Sequence, residues 1–176
     1  MHHQIQRTVS FLVVTAFIGL ALLCSVCSTP SAFAAIRQLE EAPGQIVYQS
    51  RQTLKDQHNT SWQAIAFKRI HSDGSKSFYL RLVGFLGTAE IAHSQPLLLT
   101  NSMGQILNAM DASSQIFTDP SSPEPNVGQY DLQPILSQLR VELPWQLSVQ
   151  TTHDETIILH VPSFFVQEWQ TVAHSE

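Results

Sequence analysis

Between Gln45 and Val83, three runs rich in Val, Ile, Tyr, Phe and Trp follow one another with turn-forming residues between them, and this constrains the fold more than any other feature. Gln45–Thr53 and Ser61–Ile70 flank the polar Lys55-Asp56-Gln57-His58-Asn59-Thr60, the pattern of a hairpin with a longer loop. The segment from His71 to Lys76 then holds Asp73-Gly74, a pair that tolerates positive φ in a tight turn, before Ser77–Val83. In that third run Phe78, Leu80 and Leu82 alternate with Tyr79, Arg81 and Val83, so one face is apolar and the other mixed. Three adjacent antiparallel strands are expected.

Gly84 and Gly87 break the pattern, and Thr88–Ala92 reads as a further short strand. Pro96–Thr100 and Gln105–Ala109 are expected to pair across Asn101-Ser102-Met103-Gly104, with a helix through Ile106–Met110 as the alternative. From Asp111 to Gly128 the chain is polar and carries Pro120, Pro123 and Pro125, which predicts a long surface loop. Asp131 can then cap a helix with Pro134 near its start and Leu132, Ile135, Leu136 and Leu139 on one face, ended by Pro144. Trp145–Gln150 and Thr156–Val161 predict a last hairpin, and Pro162 or Ser163 opens a short helix carrying Phe164, Phe165, Val166 and Trp169. The expected class is α+β and β-rich: an antiparallel sheet, a meander that is curved or barrel-like, with one or two short helices in the C-terminal third.

The first 34 residues bear on compartment. Arg7, an apolar run from Phe11 to Val26, Ser28-Thr29-Pro30 and then Ala32-Phe33-Ala34 follow the order of a secretory signal with a small-residue cleavage site. Residues 1–34 are thus expected to be a cleavable signal and residues 35–176 a single globular domain. An uncleaved anchor is the rival, because Val9–Cys27 approaches the roughly 18 residues that can span a bilayer; membrane contact would then run through that segment alone. Neither cysteine has the small-residue box of a lipid anchor, and no Arg-Arg pair marks a twin-arginine route. Both cysteines, Cys24 and Cys27, lie in the leader, so the processed chain would have no thiolate, disulfide or zinc ribbon.

Charge and motifs narrow the chemistry further. Fourteen Asp and Glu oppose nine Lys and Arg, one of them Arg7, and the scattered cations form no stripe, which argues against nucleic-acid binding. His58, His71, His93, His153, His160 and His174 show no spacing that sets two imidazoles on one metal. His153-Asp154-Glu155 with His160 is the best local cluster, and a solvated turn is its favoured reading. Ser75 and Ser102 neighbour glycines in predicted turns rather than a nucleophile elbow, and Glu40-Glu41 and Asp154-Glu155 read as solvated pairs. There is no Walker loop and no Gly-x-Gly-x-x-Gly, while Asn59-Thr60-Ser61 matches a glycosylation sequon. No catalytic, cofactor-binding or metal-binding residue is assigned, and no cofactor is expected. The aromatics, Trp62, Phe67, Phe78, Tyr79, Phe85, Phe117, Tyr130, Trp145, Phe164, Phe165 and Trp169, are expected to fill a core, unless some line a cavity or an exposed patch.

Ala35 to Ser50, Phe78 to Phe85, Asn126 to Pro134 and Val166-Gln167-Glu168-Trp169 together resemble the cyanobacterial exported family called domain of unknown function 3122 (DUF3122). The resemblance covers nearly all of residues 35–176. It implies a cell with thylakoids, in which a Sec-type signal leads to the thylakoid lumen or the periplasm, and it brings no activity and no functional residue with it. The leading expectation is a non-enzymatic binding or accessory protein there, with a thylakoid or inner-membrane protein complex as its partner. A small β-rich carrier of a pigment, lipid or quinone is the alternative, and a hydrolase the second alternative.

Overall fold

The run from Gln45 to Val83 folds as its alternation requires. In the computed structural model, which describes residues 36–87, 89–116 and 124–176, β2 (Gln45–Lys55), β3 (Ser61–Ile70) and β4 (Lys76–Val83) form antiparallel ladders in which Ser50 faces Ala66 and Ala66 faces Leu80. The turn before β4 has Gly74 at φ +81°, the conformation the Asp-Gly pair supplies. The expected signal over residues 1–34 and its cleavage site lie outside the described residues, as does Phe117.

Six further strands complete the sheet among the described residues: β1 (Arg37–Ala42), β5 (Leu97–Asn101), β6 (Ile106–Asp111), β7 (Val127–Asp131), β8 (Trp145–Gln150) and β9 (Thr156–Val161). Their spatial order is β1-β2-β3-β4-β7-β6-β5-β8-β9, with every pairing antiparallel. The order corrects the simple meander: after β4 the chain leaves the growing edge, builds β5 and β6, and returns with β7 to the side of β4. The sheet is not closed. A single bridge, Asp56 to Leu159, brings the end of β2 to β9, and the Gln57 side chain completes that contact by donating to Thr156 O (2.9 Å) and accepting from Ile158 N (2.8 Å).

One face of the sheet holds the core. Tyr48 and Leu54 of β2, Trp62 and Ala66 of β3, Phe78, Leu80 and Leu82 of β4, and Leu147 and Leu159 of the last hairpin are buried together, as expected for the inward half of alternating strands. Helix α1 (Ser163–His174) lies over β2 and β3 and adds Val166, Trp169 and Val172 to the same cluster. Pro162 stands just before the helix, and its carbonyl accepts from Phe165 N (3.0 Å). On the opposite face Val47, Ile65 and Phe67 form a small second cluster. The guanidinium groups of Arg69 and Arg81 lie 5.5 and 5.2 Å from the Phe67 ring centre.

Several sequence expectations are corrected. Pairing of β5 with β6 overrules a helix through Ile106–Met110. Thr88–Ala92 contributes only the bridge Ile91 to Thr151 among its described residues. Val127 and Gly128, placed in the long loop, begin β7, because Gly128 without a side chain fits against Tyr130 and Ile91. The helix after Asp131 is a 3-10 helix, Gln133–Gln138; Asp131 Oδ1 still accepts from Gln133 N at 2.9 Å. Strand β1 was hidden from the apolar pattern because all six of its residues are exposed. Phe164 is also exposed, so the buried face of α1 excludes it.

Candidate functional site

Because the inner face is filled by side chains and by α1, surface geometry worth reading for function lies at the rim of the sheet. There β4 runs out into Gly84-Phe85-Leu86-Gly87. Gly84 sits flat against the Trp62 indole: a Cβ at this position would stand 3.0 Å from Cη2 and 3.1 Å from Cζ3 of that ring. Gly84 N donates to Asn126 O (2.9 Å), and Asn126 Nδ2 donates to Gly84 O (2.8 Å), so the loop is latched to the segment entering β7. Gly87 takes φ +79° at the turn. Beyond the latch Phe85 and Leu86 stand 65% and 83% exposed, two adjacent large apolar side chains that form a patch rather than a scattered single residue.

These residues border a pocket of about 710 Å³ whose other walls come from Thr53, Ser61 to Gln63, Val83 and Asn126. None of the lining side chains carries a formal charge. Trp62 is fixed from behind, its Nε1 donating to Asp56 Oδ2 at 3.0 Å. Burial alone would raise the Asp56 carboxyl, but donation from Trp62 Nε1, Thr60 N and His58 N outweighs it and holds Asp56 below the usual carboxylate range. Asn126 is buried, and its Oδ1 has no hydrogen-bond partner among the described residues. Such an idle acceptor costs roughly 1–3 kcal/mol until a donor reaches it. The walls suit a neutral, largely apolar group, since a charged one would find no counter-charge there.

The family model for Protein of unknown function (DUF3122) matches residues 34–172. The chain belongs to this family. No curated protein and no solved structure matches it. Within this DUF3122 chain the titratable residues read from sequence are dispersed. His153 Nε2 points to Glu90 Oε2 (3.8 Å), whereas Glu155 Oε1 lies 4.0 Å from His58 Nδ1; His160 is exposed on β9 opposite Gln146. His93 Nε2 meets Val127 O (2.9 Å), His71 Nε2 lies 3.4 Å from Ser77 Oγ, and His174 Nδ1 meets Gln170 O (2.7 Å). No group of three or more His, Cys, Asp or Glu among the described residues is placed to hold a metal ion. Ser75 Oγ donates to Asp73 Oδ1 within its turn (2.7 Å). Glu41 departs from a solvated pair: Arg69 donates to both of its oxygens, at 2.9 and 3.3 Å.

Two polar features of this chain were not read from its sequence. Asn126 gave no signal, since a lone Asn among prolines reads as a turn residue. Gln52 did give one: it falls on the inward half of β2, between Ser50 and Leu54, where a polar group must find a partner. It donates to Glu168 Oε2 (2.7 Å) and accepts from Trp169 Nε1 (2.9 Å), tying β2 to α1.

Proposed function

We propose that this DUF3122 chain is an exported, non-enzymatic binding protein of the thylakoid lumen or periplasm, accessory to a membrane protein complex, and that it takes a neutral apolar group of its partner at the rim pocket. The signal-like order of residues 1–34 supports export, and the family resemblance supports a photosynthetic cell. One observation carries the binding site: Phe85 and Leu86, 65% and 83% exposed, lie side by side on an uncharged pocket, whereas Trp62, Phe78 and Tyr130 of the neighbouring strands are buried. Burying Leu86 alone on a partner is worth about 1.5–3 kcal/mol by transfer.

The test uses tagged protein purified from its own cells, with Leu86→Lys as the variant. Because Leu86 is exposed, its replacement should move stability by no more than about 0.5 kcal/mol. Co-purification of one membrane complex should fall about tenfold or more, and the intact mass should correspond to a chain beginning at Ala35. Equal recovery of the complex with both proteins would refute the rim as the contact. A second reading, a carrier of a pigment, lipid or quinone, draws on the pocket volume, which lies in the range of small-molecule sites. In that case purified wild-type protein would bring such a molecule with it and the Leu86→Lys protein would not.

A further inference from the structure

The two edges of the sheet are finished differently. At β9 the Asp56 bridge and the Gln57 amide occupy the strand's outer hydrogen-bonding groups. At β1 no described segment pairs with the outer edge, and all six residues are exposed. Alternate N–H and C=O groups of such a strand face away from its neighbour and will template another strand.

We propose that the outer edge of β1 pairs antiparallel with β1 of a second copy of this chain, about a twofold axis at Leu39. The charges select both the occupant and the register. With Leu39 facing Leu39 across the axis, Arg37 faces Glu41, Gln38 faces Glu40 and Ile36 faces Ala42, so no like charges oppose one another. Moving the axis to Glu40 would set Glu40 against Glu40. Moving it to Gln38 would leave Arg37 opposite Leu39 and discard the ion pairs. The irregularity in β1 falls on Glu41, which has no partner in the β1–β2 ladder, so Arg37 to Glu40 set the regular pairing and the Glu41 side chain meets Arg37 from the bulge. Leu39 is 47% exposed, leaving apolar surface for the contact. Glu41 already accepts from Arg69 at both oxygens and from Gln45 Nε2 at Oε2 (2.9 Å), which leaves Oε1 with acceptor capacity for one N–H of a second arginine. Two six-residue strands bury less than a standard interface, so the dimer is reversible and concentration-dependent.

Sedimentation velocity on the protein as it accumulates in its cells, from low micromolar to near-millimolar concentration, tests this. The wild type should pass from monomer to dimer. Arg37→Glu should weaken association about tenfold or more by setting two carboxylates against each other, and adding Glu41→Arg should restore it by exchanging the pair. Leu39→Lys, which sets like charges face to face on the axis, should abolish the dimer, and Leu86→Lys at the rim should leave it intact. β1 contributes no buried side chain, so Arg37→Glu, Leu39→Lys and Leu86→Lys should keep the wild-type Tm, which serves as the control for folding, whereas the double exchange also gives up the Glu41–Arg69 ion pair and should melt somewhat lower while still dimerising. A wild type that stays monomeric throughout, a dimer indifferent to Arg37→Glu or Leu39→Lys, or failure of the double exchange to restore association would each overturn the proposal.

Discussion

At the scale of single residues, Asp56 carries more than its place at the end of β2 suggests. One carboxylate oxygen accepts from His58 N and Thr60 N and the other from Trp62 Nε1, so a single side chain closes the β2–β3 turn and orients the indole at the rim. Its pKa is lowered on folding: burial acts upward, and the three donors together act downward and prevail. A carboxyl with a depressed folded pKa contributes stability above its unfolded value, near 4, and loses that contribution as pH falls through the folded value. Asp56→Asn should therefore flatten the acid limb of the stability curve. At neutral pH the same change should cost about 1–3 kcal/mol, because an amide that keeps its oxygen toward the backbone donors presents an N–H to the indole N–H. Denaturant melts of both proteins between pH 3 and pH 7 check both effects, and parallel curves would show that the carboxylate is not the acid-sensitive group.

At the scale of elements, α1 is joined to the sheet by packing and by the Gln52 bridge together. Trp169 is fully buried and its N–H is satisfied, so Trp169→Ala should cost on the order of 3–5 kcal/mol, read from a chemical denaturation midpoint. Replacing the exposed Phe164 should cost far less, and equal costs would contradict the burial pattern. Elements with strong periodicity were legible in the sequence: β3, β8 and β9 match their expected bounds, because alternation and clear turn residues act together there. β1 and β7 were not. The first buries nothing, and the second pairs through Gly128 and the polar Gln129, so hydrophobicity marks neither. The rim site was legible only in part: Phe85 stood among the aromatics that could line a cavity or an exposed patch and Gly84 and Gly87 marked a break, but Leu86 was not singled out, and the Gly84–Asn126 latch joins residues 42 positions apart.

At the scale of the molecule, the chain beyond Cys27 holds one continuous sheet with no sulfur cross-link available to it. Its thermal midpoint should be unmoved by reductant and by chelator, measured by calorimetry; a drop of many degrees with chelator would reveal a metal that the dispersed histidines do not suggest. The order β4-β7-β6-β5-β8 also has a temporal meaning. A chain synthesised from its N-terminus presents β1 to β4 first, and those four strands can pair as they emerge. β4 then waits for β7, its permanent neighbour, while more than forty residues are still to come. During that interval Leu80 and Leu82 lie along an unprotected margin of sheet, and the nascent chain depends on whatever shields that margin until β7 arrives.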